Sequence, residues 1–209
     1  MSTAQEYLRF LVTLTAVLDP FLAVPVFLTL TASRSAAARA ALVRIVAVTV
    51  FAVLAAAALL GESILTLIGA SLAAFRVGGG LVLLLMALAM LNARAGGLRQ
   101  SQEEAAEVES GELQGLVPLA VPLLAGPGAI STTVIAAQKG GAAHLAVVLA
   151  CIAAVSLLTW AVLRGADAIG ARLKTTGLNI ATRLLGLLLA ALAIQTMAEG
   201  LKELFPGLA

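Results

Sequence analysis

Long apolar runs separated by short polar stretches dominate this chain, and their lengths set the first prediction. A helix that crosses a membrane needs about 20 mostly apolar residues. Six runs fit that demand: roughly Gln5 to Thr31, Ile45 to Leu60, Val77 to Leu91, Leu116 to Gln138, Leu145 to Leu163 and Ile180 to Ala198. A short basic connection with Arg34, Arg39 and Arg44 joins the first two, and Gly61-Glu62 marks the far end of the second. The apolar segment Ser63 to Phe75 holds Gly69 and Ser71, and three readings of it stay open: an outer loop, a re-entrant piece, or the start of the third span. Asn92 to Gly115 is the one clearly polar stretch, carrying Arg94, Arg99, Glu103, Glu104, Glu107, Glu109 and Glu112, and reads as a solvated linker. A polar turn with Arg164, Asp167, Arg172, Lys174 and Asn179 separates the last two runs.

Two of the runs are interrupted. Leu18-Asp19-Pro20-Phe21-Leu22-Ala23-Val24-Pro25 lies in the middle of the first, and Pro122-Leu123-Leu124-Ala125-Gly126-Pro127-Gly128-Ala129-Ile130-Ser131-Thr132 in the fourth. Proline has no N–H, and its ring clashes with the carbonyl four residues back. Pro20 therefore frees the carbonyl of Ala16, Pro25 that of Phe21, and Pro127 that of Leu123. In lipid, such groups must find protein, water or ligand partners. Interrupted segments at matching places in two halves of a chain point to a transporter's binding site.

The halves do match. From Pro20 to Pro127 is 107 residues, and the same gapless shift sets Arg76 on Arg183, Gly79 on Gly186 and Met90 on Met197. Three spans per copy is an odd number, so the second copy enters the membrane from the opposite side. The predicted fold is an all-α membrane protein of six transmembrane helices in two inverted three-helix repeats, with helices 1 and 4 interrupted near mid-membrane. Residues 1–91 form the first repeat, 92–115 a polar cytoplasmic linker, and 116–209 the second repeat.

Composition supports the membrane reading. The 209 residues are 61% hydrophobic and 11% charged, with mean hydropathy +1.08, where a soluble domain carries about 25% charge. Met1 to Tyr7 lacks a basic n-region and no small-residue cleavage site follows, so the first run is expected to remain as a helix. The net charge of +2 points to no particular partner. Cys151 is the one cysteine, which excludes an internal disulfide or a two-thiol relay, and the single His144 sits in a Gly/Ala-rich connection with no metal-ligand cluster around it. Nothing suggests nucleic-acid binding, ATP hydrolysis, a cofactor or an enzyme; no G-x-x-x-x-G-K motif occurs.

Lys and Arg in short loops set the orientation. With six spans, one side holds Arg34, Arg39, Arg44, Arg94, Arg99, Arg164, Arg172 and Lys174; the other holds Arg9, Lys139 and Lys202. The richer side is predicted to be cytoplasmic, with both termini outside.

The chemistry is expected at the two breaks. Asp19-Pro20 reads as an N-cap followed by proline at the first helical position, and Gly126-Pro127 has the same form. Each proline then opens a half-helix whose free N–H groups and positive dipole end bind a carboxylate readily. Gly126 and Gly128 let a ligand approach the backbone, and Ser131, Thr132 and Thr133 add hydroxyls one turn on. Asp19 is the one carboxylate inside a span. It reads as a partner for a ligand ammonium or a proton carrier, or as a cap and no more; these roles are compatible. Together with Pro20, Phe21, Pro25 and Pro127, these residues form the candidate site for a small zwitterion. Arg76 and Arg183 are supporting candidates, each equally a side chain that snorkels to a head group, and a pairing of Arg76 with Asp19 or Glu62 is open. Gly78-Gly79-Gly80 is expected to permit close helix packing.

These same residues carry a resemblance. Leu18-Asp19-Pro20 with Pro25, the stretch Ser71 to Gly80, the stretch Pro122 to Ser131, and Arg183-Leu184-Leu185-Gly186-Leu187-Leu188-Leu189-Ala190-Ala191 resemble the first, third, fourth and sixth spans of the MarC family. The likeness covers nearly the whole chain and departs at Phe21 to Val24, where many members carry Gly or Asn before the second proline. It implies a six-span, multi-pass bacterial inner-membrane protein, also called a neutral amino acid transporter, associated with movement of small neutral amino acids such as glycine and alanine. The expected function is a proton-coupled secondary carrier for such a solute. Its partners are the lipid bilayer, the amino acid, and a proton or other coupling ion, with room for a homo-oligomer. The alternatives are a non-transporting assembly component and a channel for another small solute. Transmembrane thiol–electron carriers share the proline-broken plan but need a cysteine in spans one and four, and neither has one here.

Overall fold

The computed structural model describes residues 3–21, 23–31, 34–91, 125–138, 140–172 and 175–208. The linker at 92–115 and the first half of the fourth predicted span, 116–124, lie outside the described residues. What is described is helical: α1 (Thr3–Leu18), α2 (Ala23–Thr31), α3 (Ala36–Leu67), α4 (Leu72–Leu91), α5 (Pro127–Ala137), α6 (Ala142–Arg164), α7 (Ala166–Arg172) and α8 (Thr175–Leu204), with a 3-10 turn at Pro206–Leu208.

Among the described residues, four helices are long and apolar enough to cross a membrane: α3, α4, α6 and the Arg183–Leu204 part of α8. They are apolar on every side. Val50, Leu54, Ile152 and Leu189 are fully buried, while Val48, Leu60, Leu67, Leu157, Leu184 and Leu187 are largely exposed. A helix apolar all round belongs in a membrane or a large core, and the outward leucines are the face that meets lipid.

The second predicted span is longer than the apolar run suggests. Ser35, extended at φ −64 and ψ 154, accepts the Ala38 N–H on its hydroxyl and starts α3 ten residues before Ile45. The helix then runs straight through Gly61-Glu62, predicted to be its end. Gly61 is buried and Glu62 points to solvent, so neither residue breaks the hydrogen-bond ladder. At 32 residues, α3 is about 48 Å long and overshoots the hydrocarbon layer. Arg39 and Arg44 ride on its first turns, not in a loop. Gly69, at φ +70, turns the chain in a conformation that side chains avoid. The Ser71 hydroxyl then accepts the Ala74 N–H at 3.1 Å to begin α4. Residues 63–75 are thus a helix end, a tight turn and a helix start.

Packing is closest where residues are small. α4 and α8 run antiparallel: a Cβ on Gly80 would lie 2.4 Å from Met197, and one on Gly186 would lie 3.0 Å from Met90. α3 packs on α6, and α5 is wedged between α3 and α4 with α1 and α6 beside it. Val134 of α5 seats against Gly61, and Ser131 against Gly79, each within 2.8 Å of where a Cβ would stand. α2 rests on α6 and α7.

Candidate functional site

The first interruption is real, and its geometry differs from the expected cap. α1 closes with the Asp19 N–H donating to the Thr15 carbonyl at 2.9 Å. A residue before proline is pushed out of the right-handed helical region, and Asp19 takes the left-handed one at φ 42, the one described non-glycine residue with positive φ. It thereby ends the first half-helix. Pro20 and Phe21 form a turn, and α2 begins only at Ala23. The Phe21 carbonyl, expected to be freed by Pro25, is taken up by the Val24 N–H at 3.2 Å. Pro25 falls in the first turn of α2, where a missing N–H costs little; its side chain lies outside the described residues. Pro20 is buried, and Phe21 is 38% exposed.

Asp19 itself is 1% exposed. Aspartate enters the left-handed region at less cost than most side-chain-bearing residues, but burying a carboxylate inside a membrane protein is expensive. A sequence keeps such a group in such a turn most simply for a purpose beyond the turn itself.

The second interruption has the predicted form. Gly126 is the N-cap at φ −65 and ψ 176, and Pro127 is the first helical residue. The Gly126 carbonyl accepts the N–H groups of Ala129 at 3.0 Å and Ile130 at 3.1 Å. Ala125, Gly126, Gly128, Ala129 and Ser131 are buried while Pro127 is exposed, so the positive end of α5 has one face in the protein interior. The two breaks are neighbours: a Cβ on Gly128 would stand 3.4 Å from Val17, in the last turn of α1. The space above Gly128 is filled by protein, with Met86 Sδ 2.7 Å and Leu83 3.1 Å from that Cβ position. The glycine serves close packing here, not the open approach that the sequence suggested.

Open volume lies one turn away. A cavity of about 140 Å³ sits among α1, α4, α5 and α8, with Glu6, Arg9 and Thr13 on one wall and Gln195, Thr196 and Glu199 on another. Of the predicted residues, Thr132 lines it, and its hydroxyl donates to the Gly128 carbonyl at 2.8 Å. Gln195, which the sequence offered as lining for a polar path or as an interhelical bond, lines the cavity and bonds Glu199 within its own helix; Glu6 and Glu199 were not foreseen, because nothing in their spacing places α8 beside α1. A second cavity, of about 110 Å³, lies by Phe27, Arg39, Arg164 and Asp167. There Arg39 bridges to Asp167 at 2.8 Å and lies over the Phe27 ring at 5.9 Å.

The supporting arginines are elsewhere. Arg76 forms an ion pair with Glu203, so neither Asp19 nor Glu62 is its partner. Arg183 is exposed on α8. His144 is a structural link that the sequence treated as part of a loop; it joins Tyr7 of α1 to the last turn of α5.

Comparison with known proteins fits this architecture. Residues 4–205 match the MarC family integral membrane protein profile. The chain belongs to the MarC family. Relatives named as UPF0056 membrane proteins include YhcE of Escherichia coli, 36% identical over 97% of this chain and 94% of its own length. YvbG of Bacillus subtilis is 38% identical over 93% of each chain. MJ1677 of Methanocaldococcus jannaschii is 36% identical over 90% of this chain and 91% of its own. No solved structure matches. As a MarC-family member the chain is an integral, multi-pass membrane protein, and the motifs that carried the resemblance include the two breaks described above.

Proposed function

We propose that this MarC-family protein is a secondary carrier for small zwitterionic amino acids such as glycine or alanine, driven by a proton or another coupling ion across the inner membrane. One observation carries the reading: a buried aspartate, held in a left-handed turn where a membrane helix stops, next to the proline-started N-terminus of α5. An acid of that kind suits an ammonium group or a transported proton. A helix N-terminus suits the carboxylate at the solute's other end. Pro20, Gly126 and Gly128 shape the main chain between the two, with Ser131 and Thr132 one turn along.

A six-span arrangement of two inverted repeats is part of this proposal. The α4–α8 seam supports it. Met197 meets Gly80 while Met90 meets Gly186, and the shift that sets Met90 on Met197 brings Gly186 to Gly79, one residue from Gly80. An inverted repeat would give such an exchange to within one residue. Lys and Arg placement then puts both termini outside.

The filled space above Gly128 favours a second reading, a membrane assembly component in which the breaks only bend the helices. Counterflow in proteoliposomes, run with a panel of amino acids with and without a pH gradient, decides between them. Saturable exchange of glycine or alanine supports the carrier. Protein that exchanges none of the panel removes it.

A further inference from the structure

We propose that the cavity among α1, α4, α5 and α8 is a binding site for small solutes bearing an ammonium group, with Glu6 and Glu199 as its anionic contacts. Its place on a transport path rests on the carrier reading; the site itself rests on the chemistry of its walls.

Those walls offer acceptors. Two carboxylates, Glu6 and Glu199, stand at the rim against one guanidinium, that of Arg9. The Gln195 amide donates to Glu199 Oε1 at 2.9 Å, which steadies that carboxylate, and a carboxylate has about four lone-pair sites in all. Deeper in, two threonines have already committed their protons. Thr132 donates to the Gly128 carbonyl at 2.8 Å and Thr196 to the Leu192 carbonyl at 2.9 Å. What these hydroxyls can still offer a guest is lone pairs. An ammonium group is the complement, with three donors and no acceptor. A bare carboxylate meets two like charges at the rim against the single guanidinium of Arg9.

The cavity also limits size and points toward the breaks. At about 140 Å³ it has room for a few heavy atoms beyond the ammonium, with Phe10 and Leu83 as apolar lining. Leu83 is the same side chain that packs over Gly128. A solute seated in the cavity is therefore one side chain from the start of α5, and a shift of Leu83 is what separates the two places.

The test uses the full-length protein in lipid nanodiscs, with methylammonium, glycine and acetate as calorimetric probes. The wild type is expected to bind methylammonium and glycine and to ignore acetate, and methylammonium binding is expected to weaken as salt screens the rim. The double variant Glu6→Gln/Glu199→Gln should lose about tenfold or more in methylammonium affinity, and Thr196→Val a smaller amount. Both glutamates are exposed, so the fold should survive, and the salt dependence is read on unaltered protein in any case. Acetate binding as tightly as methylammonium, no methylammonium binding, or a double variant equal to wild type overturns the site. Counterflow in liposomes separates the two proposals. Methylammonium binding that needs both glutamates, without counterflow, removes the carrier and leaves the site. Counterflow unchanged in a double variant that has lost methylammonium binding takes the cavity off the transport path and leaves the carrier.

Discussion

The Tyr7 hydroxyl lies 2.9 Å from His144 Nδ1, across 137 residues of sequence. The other ring nitrogen, Nε2, lies 2.8 Å from the Ala136 carbonyl. A carbonyl can only accept, so Nε2 carries a proton, and in the neutral ring Nδ1 accepts from tyrosine. The imidazole thus joins α1, α5 and α6 at one end of the molecule. Replacing Tyr7 with Phe removes the donor and leaves a half-buried acceptor, at a cost of about 0.5–1.5 kcal/mol. His144→Ala removes both bonds and should cost more. Melting in detergent checks the order: wild type above Tyr7→Phe above His144→Ala.

Asp19 separates function from fold. Asn tolerates the left-handed region about as well as Asp does, so Asp19→Asn should melt near the wild type while its glycine counterflow is abolished. Asp19→Ala must hold the same turn without a polar side chain and should melt lower, by about 1–2 kcal/mol. Wild-type counterflow in the Asn variant would remove Asp19 from the mechanism.

The glycine run of α4 gives an internal contrast. A Cβ on Gly80 meets Met197 and also the backbone oxygen of Ala193 at 2.9 Å, whereas one on Gly78 meets nothing within 4 Å. Gly80→Ala should lose about 1–3 kcal/mol through overpacking. Gly78→Ala should gain about 0.5–1 kcal/mol of helix propensity. Paired melting curves of the two variants test this, and equal melting points would contradict the close seam between α4 and α8.

The bridge between Arg39 and Asp167 is expected to matter little for stability. The Asp167 side chain is 74% exposed, and pairs of that kind contribute about 0–1 kcal/mol. Asp167→Asn should shift the melting point slightly at low salt and not at all at high salt. A large, salt-independent loss would mean that the pair is shielded in the membrane-embedded protein.

Much of this architecture can be read along the chain. Gly126-Pro127 announces its helix start because an extended cap followed by proline is a local pattern, complete within two residues. The four long apolar helices follow from composition. Pro20 was misread as a helix start because the pattern that makes a good helix start, an acid before a proline, is also what ends a helix when the acid turns left-handed; backbone sign is not written in residue type. Gly61-Glu62 looked like a boundary, yet one of the pair packs inward and the other faces water, so the helix continues. The cavity was hidden for a different reason. Its walls come from α1, α4, α5 and α8, and no local rule says that Glu6 and Glu199 face the same space.

The two notches that hold α5 decide which parts of the molecule travel together. Val134 is seated in Gly61 and Ser131 in Gly79, so a slide of α5 along α3 drives Val134 against Leu60 or Glu62. Tightly keyed helices shift as a block. The hairpin of α3 and α4 and the wedge between its arms are therefore one keyed unit, set beside the place where α1 stops being a helix.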